Sequence, residues 1–414
     1  MKKIILGMII CLCLTGCSKN EYINGTTNNE KLNKVSLSDG KDESEQKQLE
    51  IEVENSGEAD ILEQKDAETS CENSNTYTNI HEENFSKEKY SEIETLEKEQ
   101  TVEDKVITIS FAGDCTLGTY KGQSGNTTFD KIYNENGPEY FFANVKDIFE
   151  NDDLTLINLE GPLTDRTQTA NKEFPIRGEK EYVEILVNGS VEVANLSNNH
   201  TYDCGQAGFD ETKEVLTTNN IGFIGEGNIF TTEINGVKIG MLGYKIFNIN
   251  SSLKETIKND IEKLKHDDIG IICVMTHGGT PERIYESNTD QENISRYIID
   301  CGADIVVGGH PHVLQGIEIY NNKFICYSLG NFSFGANKNP SDKDTFIYQQ
   351  KFIVKEDGQV DYGESKIIPC KISSRDDINN YQPTPVLDAD EALRILDKIS
   401  KHSLRYTNGW KLNP

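Results

Sequence analysis

Basic residues are scarce in this sequence: 41 lysines and arginines stand against 69 aspartates and glutamates, a formal net charge of −28 over 414 residues. Such a balance repels phosphate backbones and excludes a nucleic-acid partner held by bulk charge. Long apolar runs are missing too. The longest, residues 4–14, covers half of the roughly 20 residues that a membrane-spanning helix needs. Beyond Cys17 the cysteines (Cys71, Cys115, Cys204, Cys273, Cys301, Cys326 and Cys370) are odd in number, and several sit inside apolar runs. They form no disulfide framework, and Cys115 and Cys204 read as small packing residues. Histidines number only seven, so their placement carries information.

What is present begins at the N-terminus. MKKIILGMIICLCLTGC has two lysines, a short apolar stretch and Leu14-Thr15-Gly16-Cys17, the layout of a secretory signal. The last four residues look like a bacterial lipobox, which implies cleavage before Cys17 and a lipid on its sulfur. Residues 1–17 are therefore expected to be a lipoprotein signal peptide that directs the chain to the extracytoplasmic face of the cell membrane. Residues 18–105 hold 24 acidic and 10 basic residues, with no sustained helical or strand period. A segment of that kind cannot bury enough apolar surface to offset its ordering entropy, so it reads as a disordered acidic tether. As a flexible coil its ends lie roughly 50 Å apart.

From residue 106 onward, apolar strand-like runs alternate with amphipathic segments. VITISFA (106–112), LTLIN (154–158), VEVAN (191–195), IGFIG (221–225), IGIICVM (269–275) and ADIVV (303–307) read as strands. Helices are expected over 140–151, near 207–218 and near 290–301, and a hairpin turn at Asn235-Gly236. Strands this apolar need cover on both faces, which predicts an α/β fold, a layered αββα-type sandwich. FICYSLGNFSF and FIYQQKFIVK add sheet strands toward the C-terminus. The domain is expected over 106–370, with residues 371–414 as a C-terminal extension containing a helix.

Metal-ligand residue types fall at the ends of these strands. Asp114 follows the first, Asn158 and Glu160 the second, Asn198, Asn199 and His200 the third; His277 follows VMT, and His310 and His312 follow ADIVVGG. The carboxyl edge of an open α/β sheet is where loops converge on ligands. Carboxylate and imidazole donors without thiolates suit one or two divalent ions of manganese, iron or zinc rather than calcium. Glu160 has the chemistry to bridge two ions. An extended His310-Pro311-His312 segment, alternating about a fixed proline, is expected to point both imidazoles to one side.

The order GDCTLG, NLEGPLT, NLSNNHTYDCGQAGF, THGGTPE, GADIVVGGHPHVLQGIE and YSLGNFSFG, spanning about 106 to 335, resembles the CapA capsule-biosynthesis family, named for poly-gamma-glutamate capsule synthesis. The domain of that family is similar to calcineurin-like metallophosphatases. By the resemblance, Asp114, Glu160, Asn199, His277, His310 and His312 are metal ligands, and His200 contacts the substrate or protonates its leaving group. Glu282 takes the place of a family glutamate. The family's tryptophan after the histidine is replaced here by Gly278. Where the metallophosphatase pattern has a histidine two residues after its first aspartate, this chain has Thr116, which leaves one ion site short of a ligand. Asn158 and Arg177 are expected to contact substrate, Arg177 as one of a basic set with Arg166, Lys172 and Arg283.

Two classes of function follow. One is a membrane-anchored, metal-dependent hydrolase or transferase acting on a phosphoester or amide of a cell-envelope polymer. The other is a polymer-binding or capsule-assembly lipoprotein without turnover. The expected partners are the polymer or capsule synthase components, and the membrane through the lipid. Cys17→Ser is expected to leave the precursor uncleaved or released from the membrane; unchanged precursor mass and membrane fractionation would remove the anchor.

Overall fold

The computed structural model describes residues 104–280 and 284–412. The expected signal peptide, Cys17, nearly all of the tether, and Glu282 and Arg283 lie outside the described residues. In chain order the elements are β1 (Lys105–Thr116), β2 (Thr119–Tyr120), α1 (Phe129–Asn136), α2 (Glu139–Phe142), α3 (Lys146–Glu150), β3 (Leu154–Leu159), β4 (Ile176–Arg177), α4 (Val183–Asn188), β5 (Val193–Asn195) and α5 (Gly205–Thr218). They continue with β6 (Gly222–Ile224), β7 (Phe230–Ile234), β8 (Val237–Lys245), α6 (Ser251–His266), β9 (Ile271–His277), α7 (Thr289–Cys301) and β10 (Ile305–Gly309). The last are β11 (Ile317–Tyr320), β12 (Lys323–Cys326), β13 (Asn331–Phe334), β14 (Asp344–Val354), β15 (Val360–Lys371), β16 (Thr384–Pro385) and α8 (Ala389–Ser403).

These strands form two large sheets. The first has eight strands in the order β16-β15-β14-β1-β3-β5-β6, with β13 paired to β1; the second has six, in the order β11-β12-β10-β9-β8-β7. Within them, β1, β3, β5 and β6 run parallel, as do β8, β9, β10 and β12. Side chains one residue apart on a strand point to opposite faces, and the burial follows that period. Ile107, Ile109 and Phe111 of β1 join Ile271, Cys273 and Met275 of β9 and Ile305 and Val307 of β10 in one cluster between the sheets. The intervening Ile272, Val274 and Val306 pack on the other side, against Ile257 and Ile261 of α6 and Ile294 and Ile298 of α7. Across the first sheet, Ala112, Ile157 and Ala194 meet a cluster rich in phenylalanine from α1 to α3. The layers are therefore helix, sheet, sheet, helix, which is why the strands read as unbroken apolar runs.

Local signals account for the connections. Asn235 and Gly236 both take positive φ, 52° and 74°, the type I′ geometry of a two-residue hairpin. A capping box at Asn288 and Gln291 starts α7. Two expectations need correction. The segment 140–151 is not one helix but α2 and α3, interrupted at residues 143–145, where Phe141, Phe142, Val145 and Phe149 all turn into the same core. The run FICYSLGNFSF is not one strand: β12 belongs to the second sheet and β13 to the first, and the chain crosses between sheets at Ser328-Leu329-Gly330.

The segment after residue 371 packs into the same unit. Helix α8 places Ile395 and Ile399 in the cluster shared by the sheets, and Asp344 at the start of β14 binds Lys371, Arg394 and Lys398 at 2.8, 2.6 and 2.9 Å. Burial by itself raises the pKa of Asp344, but these three cations outweigh it and hold the carboxyl well below its usual range. A depressed folded-state pKa contributes stability above the unfolded value, and that contribution fades as pH falls through about 4 toward the folded value. Asp344→Asn is expected to cost about 3 kcal/mol at pH 7, read by denaturant unfolding, with the deficit shrinking below about pH 4. A deficit independent of pH would remove the ionic account.

Candidate metal centre

The parallel strands of both sheets end at one edge, and their last residues face one another. Asp114 near the end of β1 is completely buried. Its Oδ1 accepts from Asn158 Nδ2 at 2.8 Å, its Oδ2 accepts from the His310 backbone N–H at 3.0 Å, and His312 Nδ1 lies 3.3 Å from Oδ2. The close approach of the β10 end depends on Gly309, where a Cβ would stand 2.3 Å from Asp114 Oδ1. Asn158, at the end of β3, also lies 3.1 Å from His277 Nδ1 through the same amide nitrogen, while its Oδ1 accepts from Asn195 at 2.9 Å and Asn198 at 3.3 Å. With 1% exposure and all its polar atoms committed, Asn158 orients neighbours and does not reach a substrate, which corrects its expected role.

Glu160 and His277 are also fully buried. Glu160 Oε1 stands 3.5 Å from His277 Nε2, 3.8 Å from His312 Nε2 and 3.8 Å from His200 Nε2. One donor atom each from Glu160, His310 and His312 lie within 4.8 Å of one another, and His310 Nδ1 is buried without a hydrogen-bond partner. A buried imidazole nitrogen left without a proton partner beside a carboxylate fits a divalent metal ion. Asn199 Oδ1 is 2.8 Å from His277 Nε2, so it too converges on this point. His312 Nδ1 is 2.8 Å from Asn331 Oδ1; donation through that bond leaves the lone pair on Nε2, toward Glu160.

Electrostatics favour the same chemistry. Burial pushes the His277 pKa far down, and burial together with His312 brings His310 to about 4. Burial also lowers His200 against the pull of Asp203. For Asp114, burial raises the pKa, but the His312 hydrogen bond and the other histidine contacts more than reverse it. The lowered imidazoles are therefore neutral near pH 7 and opposed by the ionised Asp114 carboxylate, the forms that ligate metals.

The imidazoles of His310 and His312 do converge, with ring centroids 5.8 Å apart, but not by strand alternation. Both residues have positive φ, 96° and 58°. The left-handed conformation, uncommon for any residue with a Cβ, turns each ring inward and is characteristic of functional sites. Thr116 is wholly buried and its hydroxyl finds no hydrogen-bond partner among the described residues. Arg177, expected to contact substrate, donates through its guanidinium to the Thr164 carbonyl at 2.9 Å and to Glu179 at 2.6 Å.

Several site residues were not picked out from sequence. His200 Nδ1 is 2.7 Å from Asp203 Oδ2, and Asp203 Oδ1 is 2.5 Å from Lys172 Nζ. The Ile176 backbone N–H also donates to Asp203, at 2.6 Å. Lys172, grouped with surface cations on sequence alone, is thus tied to this pair. Phe247, in the loop after β8, sets its ring edge to face with His310 at 4.6 Å. Gly278 makes room for that loop: a Cβ there would meet Ile246 Cγ1 at 2.8 Å. The position of Asp203, three residues after His200, and that of Asn331 in the LGNFSFG run were the available signals. Phe247 had none.

The model of the bacterial capsule synthesis protein PGA_cap family matches residues 108–336, which include every residue of this centre. The chain belongs to that family. The PGA biosynthesis protein CapA of Bacillus subtilis (strain 168) is 31% identical over 330 residues, 74% of this chain and 81% of that protein. The capsule biosynthesis protein CapA of Bacillus anthracis is 27% identical over 72% of this chain and 74% of its own length. Among solved structures, the calcineurin-like phosphoesterase YfkN from Bacillus subtilis matches 73% of this chain and 98% of its own at 15% identity and a TM-score of 0.39. The Haemophilus influenzae NAD nucleotidase NadN matches 74% of this chain and 64% of its own at 13% identity and a TM-score of 0.39.

Removing donors separates ligation from orientation. His310→Ala is expected to lose divalent metal completely on dialysis, whereas Asn158→Ala weakens retention about 10- to 100-fold as a supporting residue. Elemental analysis against dialysis time distinguishes the two. Equal retention by His310→Ala and wild type would remove the ligand assignment.

Proposed function

We propose that this protein is a lipid-anchored, extracytoplasmic, metal-dependent hydrolase or transferase acting on a cell-envelope or capsular polymer, alongside capsule synthase components. The observation that carries the reading is the His200–Asp203 pair, held at 2.7 Å beside the Glu160, His310 and His312 donors. A site built only to hold a polymer has no use for an imidazole oriented by a carboxylate and aimed at a metal-binding carboxylate.

Asp114, Glu160, Asn199, His277, His310 and His312 are the residues that would hold the ion, which we take to be manganese, iron or zinc. When bound, such an ion polarises a substrate oxygen and stabilises the charge that develops in the transition state. The chain's own residues do the rest. Asp203 accepts from His200 Nδ1–H and fixes the ring, so that Nε2 faces the site. Lys172 balances the Asp203 charge and, with burial, keeps His200 neutral before substrate arrives. An anionic group placed beside Nε2 raises the pKa of the ring again, so that it takes up a proton there. His200 then delivers that proton to the leaving atom.

General acid catalysis contributes about 10² to 10⁴ in rate. His200→Ala is therefore expected to keep its metal and its melting temperature while turnover of phosphoesters or glutamyl peptides falls by about that range. Asp203→Asn is expected to fall in the same direction. Full turnover in His200→Ala removes the proton-donor role, and a metal-loaded wild type inert on the whole panel favours capsule assembly without turnover.

A further inference from the structure

A cleft of about 500 Å³ opens beside the metal centre, with His200 and His312 in its lining. That size lies within the range of small-molecule sites. One wall is aromatic. Tyr120 and Phe174 stand edge to face at 5.3 Å, held by the Tyr120–Ile176 pairing of β2 and β4, and Phe174 is 49% exposed. The lining also carries amides, Asn337 and Asn339, and Gln123 borders the cleft with both amide atoms shielded from solvent and without a protein partner. An amide left in that condition is satisfied by a ligand that presents one donor and one acceptor.

The charged side chains Lys338 and Asp342 of the cleft are each held by a neighbour. Lys338 Nζ donates to the Ser124 carbonyl at 2.7 Å, and Asp342 is paired with Lys398 at 2.6 Å. Among the described residues Lys338 is the one lysine or arginine that lines it, too few to hold a run of carboxylates, and the chain as a whole is acidic. A polyanion is a poor match. A flat exposed ring beside side-chain amides matches instead an uncharged, hydroxyl-bearing ring with an amide substituent: the apolar C–H face lies on Phe174, and the acetamido group exchanges hydrogen bonds with Gln123.

We infer that this cleft binds an N-acetylated sugar unit of a glycan, next to the bond that the metal centre addresses. The link to bond cleavage rests on the hydrolase reading above; the binding itself does not. The test is calorimetric titration of the full chain, as purified with its metal, with three probes: tri-N-acetylchitotriose, cellotriose and tetra-γ-glutamate. Chitotriose is expected to bind more tightly than the other two. Phe174→Ala is expected to weaken chitotriose about tenfold, the value of one aromatic contact. Gln123→Ala is expected to weaken chitotriose by about the same factor, as for a lost pair of hydrogen bonds, while leaving cellotriose unchanged.

Absence of chitotriose binding, or equal affinity in wild type and Phe174→Ala, overturns the inference. So does preferential binding of tetra-γ-glutamate that depends on Phe174, which would make this a peptide cleft. Since Phe174 is half exposed and outside the core, its substitution leaves the fold intact, and the melting temperature verifies this. Turnover plays no part in the readout. A protein that binds chitotriose through Phe174 and Gln123 but cleaves nothing refutes the hydrolase reading and leaves the cleft assignment standing.

Discussion

A single buried carboxylate joins the two halves of this molecule. Asp114 belongs to the first sheet, yet one of its oxygens is held by the His310 backbone and approached by His312, both from the end of the second sheet. The other is held by Asn158, which reaches across to His277 at the end of β9. An ionised group this far from water persists only where several donors meet it. The ends of β1, β3, β9 and β10 must therefore come together at one point. Gly309 without a side chain, the positive φ at His310 and His312, and the return of the chain at Ser328-Leu329-Gly330 all serve that approach.

The same constraint explains what the sequence did and did not disclose. Asp114, Glu160, His277 and His310 each follow an apolar run directly, and a run covered on both faces marks a strand whose end is the ligand-bearing edge. Their convergence was therefore legible. The manner of convergence at His310 and His312 was not, because Pro311 suggests an extended backbone and nothing local announces left-handed residues on both sides of it. Lys172 and Asp203 meet through a stretch without periodicity, so their pairing is a product of tertiary structure. Asn158 looked available for substrate because polar residues at strand ends often are, and Arg177 because it belongs to a basic set; their partners, Asn195, Asn198, Thr164 and Glu179, lie far away in sequence or carry no pattern. The split of FICYSLGNFSF between sheets was hidden for a related reason: both pieces are apolar and both are strands, and only the layer they join differs.

Membership of the PGA_cap family and the site geometry bear on different questions. The family places the chain in capsule biosynthesis. The arrangement of donors speaks to chemistry, and in this chain it has its own detail. Gly278 lets the Ile246–Phe247 backbone approach the end of β9, and the Phe247 ring covers one side of His310. The opposite side, toward His200 and His312, remains open as the cleft. Among the described residues the cleft reaches the centre at His200 and His312, and the Phe247 ring packs on His310.

The crossing at Ser328-Leu329-Gly330 has a further consequence for the life of the protein. Since the donors come from both sheets, neither half of a partly folded chain contains the site, and an ion gains little by meeting the chain early. Any ion bound there favours the closed sandwich by mass action, more strongly the higher its concentration relative to its dissociation constant. The centre would then act as a latch on the docked sheets. A chain loaded at this point would be one whose two sheets have docked, so that loading would double as a check on completed folding.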